Sequence, residues 1–211
     1  MTGPHRGQPV HVWGEPLESA RAAMVMVHGR GATAESILSL APEIHTPGFA
    51  YLAPQAGGNT WYPNSFLSPI PSNEPYLSSA LAAIDEVMER INATGIPDDH
   101  TMLLGFSQGA CLTLEYVARN AKRYGGVAGL SGGLIGPDGT PRDYPGSLDG
   151  TPIFLGCSDV DFHIPKTRVQ HTTQVLTKLG GRVTERLYPN MGHTINEDEI
   201  AFVRDMMVAL V

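Results

Sequence analysis

The apolar positions of this chain switch between two spacings. Ala22 to Val27 (AAMVMV) is an unbroken apolar run, the pattern of a strand buried on both faces. Met102-Leu103-Leu104, Gly126 to Leu130 and Pro152 to Cys157 read the same way, and Phe49 to Ala53 adds a short strand ended by Pro54. Val10 to Trp13 is a candidate opening strand. Val183 to Tyr188 alternates apolar and polar residues, as a strand near a sheet edge does. Between these runs the apolar spacing becomes three and four. Thr33 caps a helix expected through about Leu40, with Glu35 in its first turn. From Tyr76 to Ala93 the positions Leu77, Leu81, Ile84, Met88 and Ile91 line one helical face, and Thr94-Gly95 ends it. Further helices are expected before Asn120, from Pro165 to Leu179 and from Ile195 to Leu210. Strands alternating with helices predict a mostly parallel central sheet with helices on both faces. No repeat and no second domain is visible, so residues 1–211 read as one α/β domain.

In such sheets the ligand site lies at the C-terminal ends of the strands. The chemistry-bearing residues fall there. Met102-Leu103-Leu104 runs into Gly105-Phe106-Ser107-Gln108-Gly109, and a helical stretch follows. G-x-S-x-G between a strand and a helix is the nucleophile elbow of α/β-hydrolases. Its glycines make room for a tight, strained turn that lifts the serine hydroxyl above the sheet. A serine needs a base to take its proton and a third group to orient that base. Ser107, an aspartate at 159 or 161, and His193 follow the chain order of that fold's triads, each in a loop after a strand. Asp159 and Asp161 are equally close by local reasoning. One would orient His193 while the other shapes the loop by accepting backbone N–H bonds. Gly192 is expected to permit the tight turn at His193. His28, His45, His100, His163 and His171 fit the base role less well. The oxyanion hole needs backbone donors. The residue after the serine, Gln108, supplies one, and the HGRG turn at His28 to Gly31 supplies the other, through Arg30.

Composition narrows the partners. The formal net charge is −7, which argues against nucleic acid or an anionic membrane surface as the main partner. Cys111 and Cys157 belong to no CxxC or Cys/His cluster, so neither a metal nor a cofactor is expected, and both read as buried thiols. No apolar leader is seen and the longest apolar stretch is too short to cross a bilayer. A cytoplasmic monomer or homodimer acting on a small molecule is the expectation. The Pro54 to Pro75 segment holds five prolines together with Trp61, Tyr62 and Phe66. Aromatics at this density predict an ordered binding loop. The three rings either wall an apolar substrate pocket or anchor the loop in the core.

Six segments, VMVHGRGATAESI, APQAGGNTWYP, GFSQGA, LSGGL, SDVDFHIP and YPNMGHTI, resemble the phospholipase/carboxylesterase family of α/β-hydrolases, which includes acyl-protein thioesterases and small bacterial carboxylesterases. In that family the acid stands four residues before a proline that opens the next helix, the spacing of Asp161 and Pro165 here. The resemblance therefore implies an α/β-hydrolase fold and a triad of Ser107, Asp161 and His193. It implies an oxyanion hole from the Arg30 and Gln108 N–H groups. The expected activity is serine hydrolysis of short-to-medium acyl or aryl esters, with thioesters also in reach. The chain departs from the family pattern at Arg30, where a small or apolar residue is common, at Gly156-Cys157, where a His-Gly pair is frequent, and in the Trp61 to Pro75 loop. Competing expectations are lactone opening of the dienelactone-hydrolase kind, which uses a cysteine nucleophile, and a catalytically silent binding protein.

Overall fold

The computed structural model describes residues 3–211. Seven strands form one sheet: β1 Val10–Gly14, β2 Ala22–Val27, β3 Phe49–Pro54, β4 Thr101–Phe106, β5 Gly126–Leu130, β6 Pro152–Ser158 and β7 Arg182–Tyr188. The order across it is β1-β3-β2-β4-β5-β6-β7. All neighbours are parallel except β1, which pairs antiparallel with β3 and forms one edge. The alternating strand β7 is the other edge and is only partly buried, as its pattern predicts.

Among the described residues there are five α-helices: α1 Ala34–Leu38, α2 Tyr76–Asn92, α3 Gln108–Arg119, α4 Lys166–Lys178 and α5 Glu197–Val208. They divide the core in two. Along β2, Ala23, Val25 and Val27 face the cluster packed with α2, α3 and α4, while Ala22, Met24 and Met26 face the one packed with α1 and α5. An unbroken apolar run is thus a strand with a hydrophobic layer on each side. Helix α1 is shorter than its sequence suggests. Thr33 caps it as expected, but its capping box closes through Ser36, and the helix ends at Leu38. Helix α5 likewise starts later than expected, at Glu197, because Asn196 caps it. The 54–75 segment is an ordered loop with two short 3-10 turns, Gly57–Asn59 and Ile70–Asn73.

The central strands β2, β4, β5 and β6 end on one side of the sheet, so the loops after them converge there. That convergence brings residues far apart in sequence to one edge.

Candidate active site

Ser107 sits between the last residue of β4 and the first of α3, at φ 56° and ψ −120°. A non-glycine residue held there is strained and persists only because the surroundings over-determine it. They do. The Ser107 N–H donates to the Leu130 carbonyl at 3.0 Å. A Cβ at Gly105 would fall on the Gly109 carbonyl, and one at Gly109 on the Val27 carbonyl. Helix α3 therefore crosses β2 and β4 at a distance that only glycine at these two positions permits.

His193 lies above the serine. Its Nε2 is 2.8 Å from Ser107 Oγ, and its Nδ1 is 2.7 Å from Asp161 Oδ2. With the proton on Nδ1, the ring donates to Asp161 and accepts from the serine hydroxyl. The other carboxylate oxygen of Asp161 accepts the His163 and Ile164 N–H groups at 2.8 and 3.0 Å. Burial pushes the Asp161 carboxyl upward, but the bonds from His193 and the two N–H groups outweigh it, so its pKa lies below the ordinary value. Asp159 does the other job. Its Oδ1 accepts the Asn190 N–H at 2.9 Å, which ties the β6 loop to the loop carrying His193. By distance, Asp161 is the carboxylate beside the His193 ring, and Asp159 is the one that holds the Asn190 N–H. The turn that presents His193 differs from expectation. Asn190 takes the left-handed conformation at φ 54°, and no such angle occurs at Gly192. Asparagine tolerates that region better than most side chains.

A cavity of about 460 Å³ opens in front of the serine. Arg30 and Gln108 both line it. Among the described residues, neither backbone N–H has a protein acceptor. Two donors without a protein acceptor, on residues that line the same cavity as Ser107, suit a developing oxyanion. The Gln108 side chain has a separate task that the sequence did not suggest. Its Oε1 accepts the Trp61 N–H at 3.0 Å and its Nε2 donates to the Tyr62 carbonyl at 2.8 Å.

Of the three loop aromatics, Tyr62 and Phe66 border the cavity, although Tyr62 is as fully buried as Trp61 and Phe66 is nearly so. Trp61 does not. It is fully buried behind the wall, with its indole N–H donating to the His28 carbonyl at 2.8 Å. An indole at the core end of a loop buries its area and still finds an acceptor, which is why it anchors here and leaves the wall to its neighbours. His28 and His5 hold the same loop. His28 donates from Nδ1 to the Gly29 carbonyl and accepts the Ala56 N–H at Nε2; His5 bridges the Gly57 N–H and the Trp61 carbonyl. Burial lowers the pKa of both imidazoles. Cys111, at the cavity floor, is a protonated thiol, pushed up to about 12 by burial. Cys157 is also pushed up to about 12, by burial and by the Asp161 charge. Neither is poised as a nucleophile. Among the described residues, no group of three His, Cys, Asp or Glu side chains could hold a metal ion, and no helix is long and apolar enough to cross a membrane.

The sequence profile of the phospholipase/carboxylesterase family matches residues 12–210. The chain belongs to this family. Its sheet, helices and elbow are those of an α/β-hydrolase. A phospholipase/carboxylesterase from Dyadobacter fermentans has a similar structure, with a TM-score of 0.92 and 42% identity over 96% of this chain and 97% of that one. Acyl-protein thioesterase 1 of Debaryomyces hansenii is 27% identical, over 89% of this chain and 92% of its own length. Acyl-protein thioesterase 2 of Zea mays shares the fold, with a TM-score of 0.74 at 19% identity over 96% of this chain and 99% of that one. Carboxylesterases and thioesterases thus surround this chain in sequence and structure, and both are hydrolases that release an acyl group.

Proposed function

We propose that this family member is a serine carboxylesterase. His193 removes the Ser107 proton as Oγ attacks the ester carbonyl. Asp161 keeps the imidazole in the right tautomer and stabilises the imidazolium. The Arg30 and Gln108 N–H groups receive the negative charge that grows on the carbonyl oxygen. The imidazolium then protonates the leaving alcohol. Water, activated by the same His193, hydrolyses the acyl-enzyme and frees Ser107. Nothing in this sequence of steps calls for a metal or cofactor. A cytoplasmic setting is part of the proposal, and the two unpaired cysteines suit a reducing compartment.

The observation that carries the reading is the continuous line Asp161–His193–Ser107, with bonds of 2.7 and 2.8 Å, aimed into a cavity where two backbone donors are unsatisfied. Tyr62 and Phe66 on the cavity wall support short-to-medium acyl or aryl esters. Both thiols are neutral and neither stands at the elbow, so a cysteine-dependent lactone opening has no nucleophile here. The test is hydrolysis of 4-nitrophenyl esters of graded chain length by the wild type and Ser107→Ala, with fluorophosphonate labelling alongside. Turnover and labelling should both vanish in the variant, a loss of about 10⁴-fold or more. Labelling that persists in Ser107→Ala would reject the nucleophile. A folded wild type with neither turnover nor labelling would favour the silent binding protein.

A further inference from the structure

The charge on the cavity wall is unexpected for an acidic protein. The chain has a formal net charge of −7, yet no aspartate or glutamate lines the cavity. The triad carboxylate of Asp161 is fully buried behind His193 and spent on hydrogen bonds from His193, the His163 and Ile164 N–H groups and the Cys157 thiol. The titratable groups that do line the cavity are Arg30, His163, His193, Tyr62 and Cys111. Of these, Arg30 carries a fixed positive charge, and burial holds the Tyr62 hydroxyl and the Cys111 thiol protonated and neutral.

Arg30 is held in place. Its Nη1 donates to the Pro63 carbonyl at 2.9 Å and its Nη2 to the Asn64 carbonyl at 2.7 Å, with the guanidinium 5.9 Å from the centre of the Tyr62 ring. Two carbonyls fix its orientation without neutralising it. Among the described residues it makes no ion pair. A guanidinium has five N–H donors in a fixed fork, so donors remain after these two bonds. Pre-positioning lowers the entropic cost of binding an anion. The same residue supplies the oxyanion N–H proposed above, so one side-chain length separates the carbonyl being attacked from the cation.

We propose that the ester hydrolysed here carries a carboxylate within a few bonds of its scissile carbonyl, and that the Arg30 guanidinium reads it. This deepens the serine-esterase reading and rests on it. The carboxylate takes the N–H groups left over on the fork while the ester carbonyl enters the oxyanion hole. His163, whose ring lies 4.8 Å from that of His193, adds a polar face on another part of the cavity lining. An uncharged ester of the same shape leaves the spare N–H groups of the guanidinium to water and gains only apolar contact with the cavity lining.

The test uses two matched pairs of esters, one for each side of the scissile bond, followed by proton release. Monoethyl glutarate is compared with ethyl 5-methylhexanoate, and 3-acetoxypropanoate with 3-methylbutyl acetate. In each pair a carboxylate replaces an isopropyl group of similar shape. The readout is the ratio of kcat/KM, anionic to neutral, for wild type, Arg30→Lys and Arg30→Gln. A ratio is used because loosening the loop would slow both esters of a pair together. In at least one pair the wild-type ratio should exceed about ten, mostly through KM, and fall about tenfold or more in Arg30→Gln. Arg30→Lys should retain part of it, and added salt should reduce it. The pair that responds identifies the side of the ester that bears the anion. Activity on the neutral esters with ratios below ten in both pairs would overturn the proposal and leave the esterase reading standing. So would a ratio that Arg30→Gln keeps. Inactivity on all four esters beside turnover of 4-nitrophenyl esters would overturn this proposal alone, and inactivity on both sets would take the parent reading down with it.

Discussion

Glu199 makes the sharpest test of how this molecule stores electrostatic energy. It stands three residues into the cap of α5, the helix that follows the His193 loop. Its Oε2 accepts the Asn196 N–H at 2.9 Å, and its own N–H donates to Asn196 Oδ1 at 2.9 Å. The side chain is fully buried, and its Oε1 has no partner among the described residues. That oxygen packs against Gly156 of β6, where any Cβ would strike it. Burial, with a smaller push from the Asp198 charge, raises the carboxyl from 4.5 to about 7 against the pull of the Asn196 bond. The sign follows from proton counting. The unfolded chain gives up this proton near 4.5 and the folded chain holds it to about 7, so the folded state binds more protons in between and stability falls as pH rises through that window. By about one unit above pH 7 the loss is complete, at about 3 kcal/mol, from 1.36 kcal/mol for each tenfold change in proton affinity. Glu199→Gln keeps an amide oxygen for the Asn196 bond and removes the titration. Urea unfolding of both proteins at pH 5 and pH 8 isolates the effect, because the other groups cancel. The advantage of the glutamine should grow by about 2–3 kcal/mol between the two pH values. A difference that stays constant with pH, or that shrinks toward pH 8, would refute the buried, proton-holding carboxyl.

Two further substitutions separate neighbouring roles. Asp161→Asn should cut kcat/KM by about 10⁴-fold, since an amide cannot hold the Nδ1–H tautomer, whereas Asp159→Asn, which loosens only the bond to the Asn190 N–H, should cost less than about tenfold; activity of both variants on 4-nitrophenyl butyrate decides it. Asp161→Asn should also flatten the loss of stability in acid, because a carboxyl with a lowered folded pKa stabilises above 3.8 and loses that contribution as pH falls through its folded value. Gln108→Ala leaves the backbone N–H in place but releases the Trp61 N–H and the Tyr62 carbonyl. It should destabilise the fold by about 1–3 kcal/mol in urea unfolding and raise KM more than it lowers kcat; an unchanged stability would show that the loop does not depend on this side chain.

Local pattern was enough for much of this protein. The run Ala22 to Val27 had to be a strand with cover on both faces, because six apolar residues in extended chain present three to each side. Gly105 and Gly109 announced a close crossing, and Ser107 after β4, an aspartate at 159 or 161 after β6 and His193 after β7 placed the candidates at strand ends that the sheet brings together. These features are short-range, or follow from the rule that parallel strands end on the same side. Tertiary structure decided whatever depends on which distant groups meet. Asp159 and Asp161 differ by two residues, and only the packing of the β7–α5 loop sets one against the His193 ring and the other against the Asn190 N–H. Trp61 and Tyr62 are adjacent aromatics that are both fully buried, yet only Tyr62 borders the cavity, because His28, His5 and Gln108 reach across 28 to 56 residues to fasten the loop backbone. Glu199 reads as an ordinary helix-cap residue until Gly156 closes over it. Periodicity reports how a side chain sits relative to its own backbone; dielectric, pKa and hydrogen-bond partners belong to the space around it, and that space is filled by residues far away in the chain.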